Sequence, residues 1–258
     1  MNDNFLKVAK QAALEAGKVI SSYFGKNNKI QVKNNDASNL VTEVDLKSEK
    51  AIIGIISQYF PTHNIITEES RNIDQGSEYS WAVDPLDGTI SFVHGLPHFS
   101  VTIGLMKNNQ PILGVIYNVL SQELYSAQVG KGAYLNGKKI RVSQINKLEQ
   151  AVLQLGMGSI KRRADKLDRY VNPLITKIGY PYAFGSASTA YTFVAKGALE
   201  ATIDGGWIWD FVAGTVITQE AGGKVTDFTG NEPEWSKERL EVIASNGLIH
   251  DQILEVLK

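Results

Sequence analysis

The sequence predicts an α+β fold of layered sheets and helices, folded as one compact unit. Three observations predict it. Apolar residues at helical spacing open the chain, an alternating texture takes over at Ser100, and helical spacing returns in the last third. In the opening stretch Phe5, Val8, Ala9, Ala12, Ala13, Ala16, Val19, Ile20 and Tyr23 recur every three or four residues, which makes an amphipathic helix ending near Gly25. The polar loop KNNDASN follows and ends at Leu40-Val41-Thr42. A second helix repeats Ala51, Ile52, Ile55, Ile56 and Tyr59 until Pro61 stops it. Two short strands come next: Ile65 to Thr67, running into Glu68-Glu69, and Trp81 to Val83, running into Asp84-Pro85.

From Ser100, Val101, Ile103 and Leu105 face one way and Thr102, Gly104 and Met106 the other. GVIYNVL, ELYSAQV and GAYLNGKKIRV read as successive strands, with Asn136-Gly137 as a two-residue hairpin turn. ADKLDRYVNPLITKIG, SASTAYTFVAKGAL and DFVAGTVITQEAGG then read as helices, the last ended by a Gly-Gly pair. There is no internal repeat, low-complexity tract or linker. A chain of 258 residues, 43% of them hydrophobic, buries a full core without staples. We expect a single domain over residues 1–258, built from an N-terminal half, 1–145, and a C-terminal half, 146–258.

Charge and cysteine usage exclude several classes. Twenty-six Lys plus Arg against 27 Asp plus Glu give a formal charge of -1, which argues against an electrostatic grip on nucleic acid or anionic lipid. The chain has no Cys, so it carries no disulfide framework, no Cys-ligated metal and no thiol nucleophile. The N-terminal segment lacks the order of a signal peptide, and no stretch approaches 18 apolar residues. The expectation is a soluble cytoplasmic protein.

The richest segment is WAVDPLDGTISFVHG, residues 81 to 95. A strand delivers Asp84, Pro85 bends the chain, and Asp87-Gly88-Thr89 opens a helix. Two carboxylates around a rigid turn can converge on one point, as a hard cation such as Mg²⁺ requires. The N–H groups of Gly88 and Thr89 would face an anion. Equally, Asp87 reads as a helix cap and Asp84 as a turn former. Glu68 and Glu69 also end a strand; alone they read as a solvated loop, but a parallel neighbour would bring them beside Asp84. Asp210 begins a helix after Trp209, and Asp45 stands three residues after Thr42, the spacing of a capping box. Each is a cap or a site carboxylate.

Taken in order, Leu40-Val41-Thr42-x-x-Asp45, Glu68-Glu69-Ser70, Asp84-Pro85-Leu86-Asp87-Gly88-Thr89, Trp209-Asp210 and Glu220-Ala221-Gly222-Gly223 resemble the inositol monophosphatase family. The resemblance runs from Val32 to at least Gly223. It implies a layered α-β-α-β-α sandwich, a sugar-phosphatase type of fold, with the active site between the two halves. It implies a Mg²⁺-dependent phosphomonoesterase, lithium-sensitive and commonly a homodimer, that acts on a small-molecule phosphate ester. By the same resemblance Glu68, Asp84 and the carbonyl of Leu86 would hold one metal, and Asp84, Asp87 and Asp210 a second. Asp45 and Thr89, with Glu69 nearby, would orient or activate water, and Gly88 and Thr89 would receive the phosphate. Ser159, Gly185, Ser186, Ala187, Asp204 and Asp210 fall where the family lines its substrate pocket; as sequence alone the first four are also ordinary loop and helix-start residues.

Two places depart from the family pattern. Ile90-Ser91-Phe92 stands where the family usually has Thr-Asn-Phe. In ALEATIDGGWIWD the carboxylate nearest the family's substrate-binding Glu is Asp204, in a stretch one residue shorter. The substrate expectation is inositol 1-phosphate, with fructose 1,6-bisphosphate, NADP, phosphoadenosine phosphate or histidinol phosphate as alternatives under the same chemistry. A second class stays open, because some bacterial relatives also bind transcription or ribosome-assembly partners. The tight basic run Lys161-Arg162-Arg163 is expected to be a solvated face.

Other chemistries lack their residues. The Asp-x-Asp of haloacid-dehalogenase phosphatases is absent at the DGT turn, where the spacing is three. No Gly-Lys pair is followed by Ser or Thr, and neither H-E-x-x-H nor G-x-S-x-G occurs.

Overall fold

The structure, a computed structural model, describes residues 4–26, 29–32, 35–36 and 40–258. Residues 1–3, and all of the polar loop KNNDASN except Asn35 and Asp36, lie outside them. Five layers stack as helix, sheet, helix, sheet, helix.

The first layer is α1 (Asn4–Tyr23) packed on α2 (Glu43–Tyr59), beside a small antiparallel pair, β1 (Ile30–Val32) and β2 (Leu40–Thr42). The apolar stripe of α1 is buried as its spacing predicts, except for Val19 and Tyr23, which are half-buried. Thr42 caps α2: its hydroxyl accepts the Val44 N–H, and Asp45 accepts the Thr42 N–H at 2.8 Å.

The second layer is a seven-stranded sheet: β3 (Asn64–Thr67), β4 (Tyr79–Asp87), β5 (Ser100–Lys107), β6 (Gln110–Asn118), β7 (Glu123–Gln128), β8 (Gly132–Leu135) and β9 (Lys138–Lys139), side by side in chain order. Only the β3–β4 pair is parallel. The short α3 (Thr89–Val93) sits between β4 and β5. Asn136 and Gly137 both adopt positive φ, the turn their dipeptide demands. The two faces of β5 are both buried. Val101, Ile103 and Leu105 join the core under α1, whereas Gly104 meets a helix on the far side.

The second half builds the other sheet: β10 (Val152–Leu155), α4 (Ile160–Lys166), α5 (Asn172–Ile175), β11 (Tyr180–Tyr182), α6 (Ala187–Ala195), β12 (Ala201–Trp207), α7 (Ile208–Glu220), β13 (Lys224–Thr226), β14 (Arg239–Ser245) and α8 (His250–Leu257). Its strand order is β11-β10-β12-β14-β13. The helix read from ADKLDRYVNPLITKIG is interrupted by a π turn over Leu167–Val171.

Helix α7 lies between the sheets with Phe211, Val212, Val216 and Ile217 fully buried, and α6 packs beside it. A helix apolar all round belongs in an interior, and each such side chain contributes about 1.5–3 kcal/mol by burial. The close fit needs missing side chains: a Cβ on Gly104 would lie 2.4 Å from Val212, and one on Gly114 2.2 Å from the Ala213 carbonyl oxygen. Helices α5 and α8 cover the outer face of the second sheet around Leu153, Ile203 and Ile243. Among the described residues no helix is long and apolar enough to cross a membrane.

Candidate active site

The parallel register sets Thr67 beside Val83, so Glu68 and Asp84 leave neighbouring strands at the same level. Asp84 and Asp87 would point to opposite faces of a regular strand, being three residues apart. Here Asp84 pairs with Thr102 and Asp87 with Ser100, three residues against two. That bulge carries one extra residue and turns both carboxylates toward one cleft. The Asp84 carboxylate accepts the Leu86 N–H at 3.0 Å, which fixes the turn.

Asp87 does not cap its own helix. Gly88 is the cap residue of α3, and Asp87 reaches across to the start of α6, accepting from the Ser186 hydroxyl at 2.7 Å and the Ser188 N–H at 2.7 Å, and from the Ser188 hydroxyl. Gly88 has φ +88°, and a Cβ there would lie 2.4 Å from the His98 carbonyl oxygen, so only glycine fits. Asp210 enters from the start of α7, two residues later than the helix itself begins, and accepts the Trp207 N–H at 2.7 Å.

Helix α2 supports this cleft from behind, and three residues of one face do it. Asp45 accepts the Thr89 hydroxyl at 3.1 Å, while that hydroxyl also lies 3.1 Å from the Leu86 carbonyl oxygen. Ser48 donates to the Pro85 carbonyl at 2.8 Å. Buried Glu49 accepts the Glu69 N–H at 3.0 Å and the Thr67 hydroxyl. Ser48 and Glu49 were not among the residues expected from sequence. Their signal was available: polar residues at 45, 48 and 49 on the face that carries Ile52 into the core.

The charges are gathered against their own repulsion. Burial pushes the Asp84 and Asp210 carboxyls well above the usual carboxylate range, and the charges of Glu68, Asp87 and, for Asp84, Asp210 push the same way. Burial raises Asp87 and Asp45 as well, against the donors that hold them. No ion pair among the described residues engages Asp84, Asp87 or Asp210. An all-oxygen donor set short of positive charge fits Mg²⁺. Among the described residues no three acids or histidines already form a closed cage, and Mg²⁺ asks for none, since it keeps waters and takes substrate oxygens as ligands.

The cleft encloses about 660 Å³. Glu68, Asp84, Leu86, Asp87, Gly88, Thr89 and Asp210 form its acidic end, while Asp45 and Glu69 lie outside the lining. Gly185, Ser186 and Ala187 line it from the start of α6, and Ser159 from the start of α4. Asp204 lines it too, but is engaged by Lys166 at 2.5 Å. Arg162 and Arg163 also border the cleft; Lys161 and Arg163 are exposed and Arg162 is half-buried, so the basic run is a solvated face, as expected, that adjoins the cleft.

The model of the inositol monophosphatase family matches residues 1–258. The chain belongs to this family. Relatives include a Nus factor SuhB of Pseudomonas aeruginosa, 38% identical over 88% of this chain and 86% of the relative. A fructose-1,6-bisphosphatase/inositol-1-monophosphatase of Aquifex aeolicus is 36% identical over 98% and 95%. Among solved structures, the extragenic suppressor protein suhB of Bartonella henselae superimposes with a TM-score of 0.92 at 32% identity, covering 99% of each chain. The fold is the family's layered sandwich, and membership indicates a phosphatase.

Proposed function

We propose that the chain is a Mg²⁺-dependent phosphomonoesterase that hydrolyses inositol 1-phosphate with water as the direct nucleophile. The observation that carries it is the convergence of Glu68, Asp84, Asp87 and Asp210 on one end of one cleft, from two strands and a central helix. Asp84, the Leu86 carbonyl and Glu68 would hold one Mg²⁺, and Asp84, Asp87 and Asp210 a second. Bound there, Mg²⁺ neutralises phosphate charge and makes water a better nucleophile.

The chain's own groups do the positioning. The Gly88 and Thr89 N–H groups receive the phosphate oxygens. The Thr89 hydroxyl, already donating to Asp45, accepts from the attacking water and passes its proton toward that carboxylate. Glu69 stands beside Glu68, its N–H held by Glu49, and steadies the strand end. Gly185, Ser186, Ala187, Ser159 and Asp204 line the cleft and would contact the ester. Residues 1–258 form one phosphatase unit with the site between its halves. Homodimerisation, cytoplasmic residence and lithium sensitivity belong to the same proposal.

The name of the Aquifex relative supports fructose 1,6-bisphosphate as the first alternative substrate. Two measurements test the mechanism. Calorimetry should show Mg²⁺ binding that Asp84→Asn removes, and acid quenching during turnover should trap no phosphorylated protein. A phosphoaspartate at Asp84 would overturn direct attack by water. The Pseudomonas relative's name supports a second reading, an interaction protein with incidental phosphatase activity. A pull-down without protein or RNA partner, beside strong Mg²⁺-dependent turnover, disposes of it.

A further inference from the structure

A second groove runs along the flank of α1 and encloses about 690 Å³. It shares no lining residue with the acidic cleft. All three lysines of α1, Lys7, Lys10 and Lys18, stand on this flank, and Tyr117 of β6 with Gln122 of the following turn completes the lining. The helix itself gives little reason for two of these lysines. Lys7 closes a first turn that holds no acid, where a cation opposes the helix dipole, and Lys10 follows one turn later on the same face. Like charges so placed repel each other.

Lys18 is spent on Glu15, at 2.6 Å. Lys7 and Lys10 have no such partner: among the described residues no carboxylate and no hydrogen-bond acceptor engages either. Lys10 is half-buried, and burial pushes its ammonium below the usual lysine range with no counter-charge to offset it. A lysine kept only for solubility holds its head in water; Lys10 has given up part of that hydration. The rest of the groove is shaped as well. Gly17 is a buried glycine inside a helix, where glycine is a weak choice. A Cβ there would lie 2.4 Å from the Tyr117 ring, so the glycine seats that ring against α1. Half-buried Tyr117 has no hydrogen-bond partner for its hydroxyl among the described residues. Gly17 lies about 10 Å along the helix axis from Lys10, and partly exposed Leu14 stands between them. The groove therefore offers two cations, then an apolar step, then a phenol.

We propose that this flank of α1 is a binding site, separate from the cleft, for a small organic phosphate. Lys7 and Lys10 hold the phosphate, whose charge relieves their repulsion, and the organic part lies over Leu14 toward Tyr117. A phosphate could also be offered by a lipid headgroup. The position of Lys10 inside the groove favours a small molecule that enters it over a flat membrane surface.

Calorimetry on the intact chain tests this with phenyl phosphate and with inorganic phosphate, both in chelator so that no Mg²⁺ serves the cleft. Phenyl phosphate should bind at least about threefold more tightly than inorganic phosphate, and both more weakly as salt is added. Lys7→Gln and Lys10→Gln should each weaken both by about fivefold, and Glu15→Gln, which frees Lys18, should tighten both, all with unchanged melting temperature. Leu14→Ser should erase the preference for phenyl phosphate. No binding by a chain that still melts cooperatively overturns the site. So does binding that Lys7→Gln and Lys10→Gln leave unchanged, which would put the anion in the cleft. Sedimentation with vesicles of phosphatidylcholine and phosphatidylglycerol, lost in Lys10→Gln, by a chain that binds neither probe would assign the lysines to a lipid surface and overturn the small ligand. The readout is binding without Mg²⁺, so the phosphatase reading stands or falls separately.

Discussion

The Lys166–Asp204 ion pair lines the cleft and helps to hold its wall. The side chains are 4% and 17% exposed, and among the described residues the ammonium has two hydrogen-bond partners, the carboxylate at 2.5 Å and the Gly205 carbonyl at 2.7 Å. Asp204→Asn keeps shape and removes charge, leaving a buried cation with neutral acceptors alone. Breaking a buried pair from one side costs about 3–5 kcal/mol. The partial exposure of Asp204 brings our expectation to about 2–4 kcal/mol. For a chain of this size that is a fall of about 4–16 °C in melting temperature. Lys166→Met removes the other charge, and the double variant should be more stable than the sum of the single losses by about 2 kcal/mol. Urea melts with an unchanged slope measure this cycle. An Asp204→Asn cost below about 1 kcal/mol, or strict additivity, would refute a committed Asp204.

Three further outcomes follow from particular contacts. His250 is fully buried between the Ser245 and Thr226 hydroxyls, and burial lowers its pKa to about 4. Its folded value lies below the unfolded one, so its contribution is complete above about pH 6.5 and is lost as pH falls toward 4. About 3 kcal/mol is at stake, and urea melts across that window should show the loss in wild type and its absence in His250→Gln. Gly88→Ala forces a Cβ to 2.4 Å from the His98 carbonyl at φ +88°. It should cost about 1–3 kcal/mol of stability and about a hundredfold in kcat, read from melts and steady-state kinetics. Glu49→Gln weakens the acceptor that holds the Glu69 N–H and the Thr67 hydroxyl. Calorimetry should then find Mg²⁺ bound about tenfold more weakly by a chain with unchanged circular dichroism.

Legibility in the sequence followed the length and regularity of each element. The stripe of α1, the alternation of β5 and the Asn136-Gly137 turn were plain, because one physical period governs each. The second sheet was not read. Tyr180-Pro181-Tyr182 carries a proline that suits an edge strand, and Ala201–Trp207 contains Asp204-Gly205-Gly206, a turn-like run held extended by seven pairings to β14. There tertiary pairing overrides local preference. Strand β14, with Leu240, Val242 and Ala244 alternating, does carry the strand period.

The site divides in the same way. The level of Glu68 beside Asp84 could be anticipated, since two strands ending in acids need only pair in parallel. Asp87 was less legible: its spacing suits a cap, and only the bulge against Ser100 and Thr102 shows why it reaches α6 instead. The support from Ser48 and Glu49 is a contact between helix and turn some 20 to 37 residues apart in sequence. Arg162 and Arg163 are the surface charge their run suggests, but nothing local says that α4 sets them beside the cleft.

Phosphate release from inositol 1-phosphate, measured in wild type and Asp84→Asn with Mg²⁺ and with chelator, bears most directly on the acidic end of the cleft. Turnover should require Mg²⁺, vanish with chelator and fall by about a thousandfold or more in the variant. Turnover that persists in chelator, or in Asp84→Asn, would contradict a hydrolysis organised by these carboxylates.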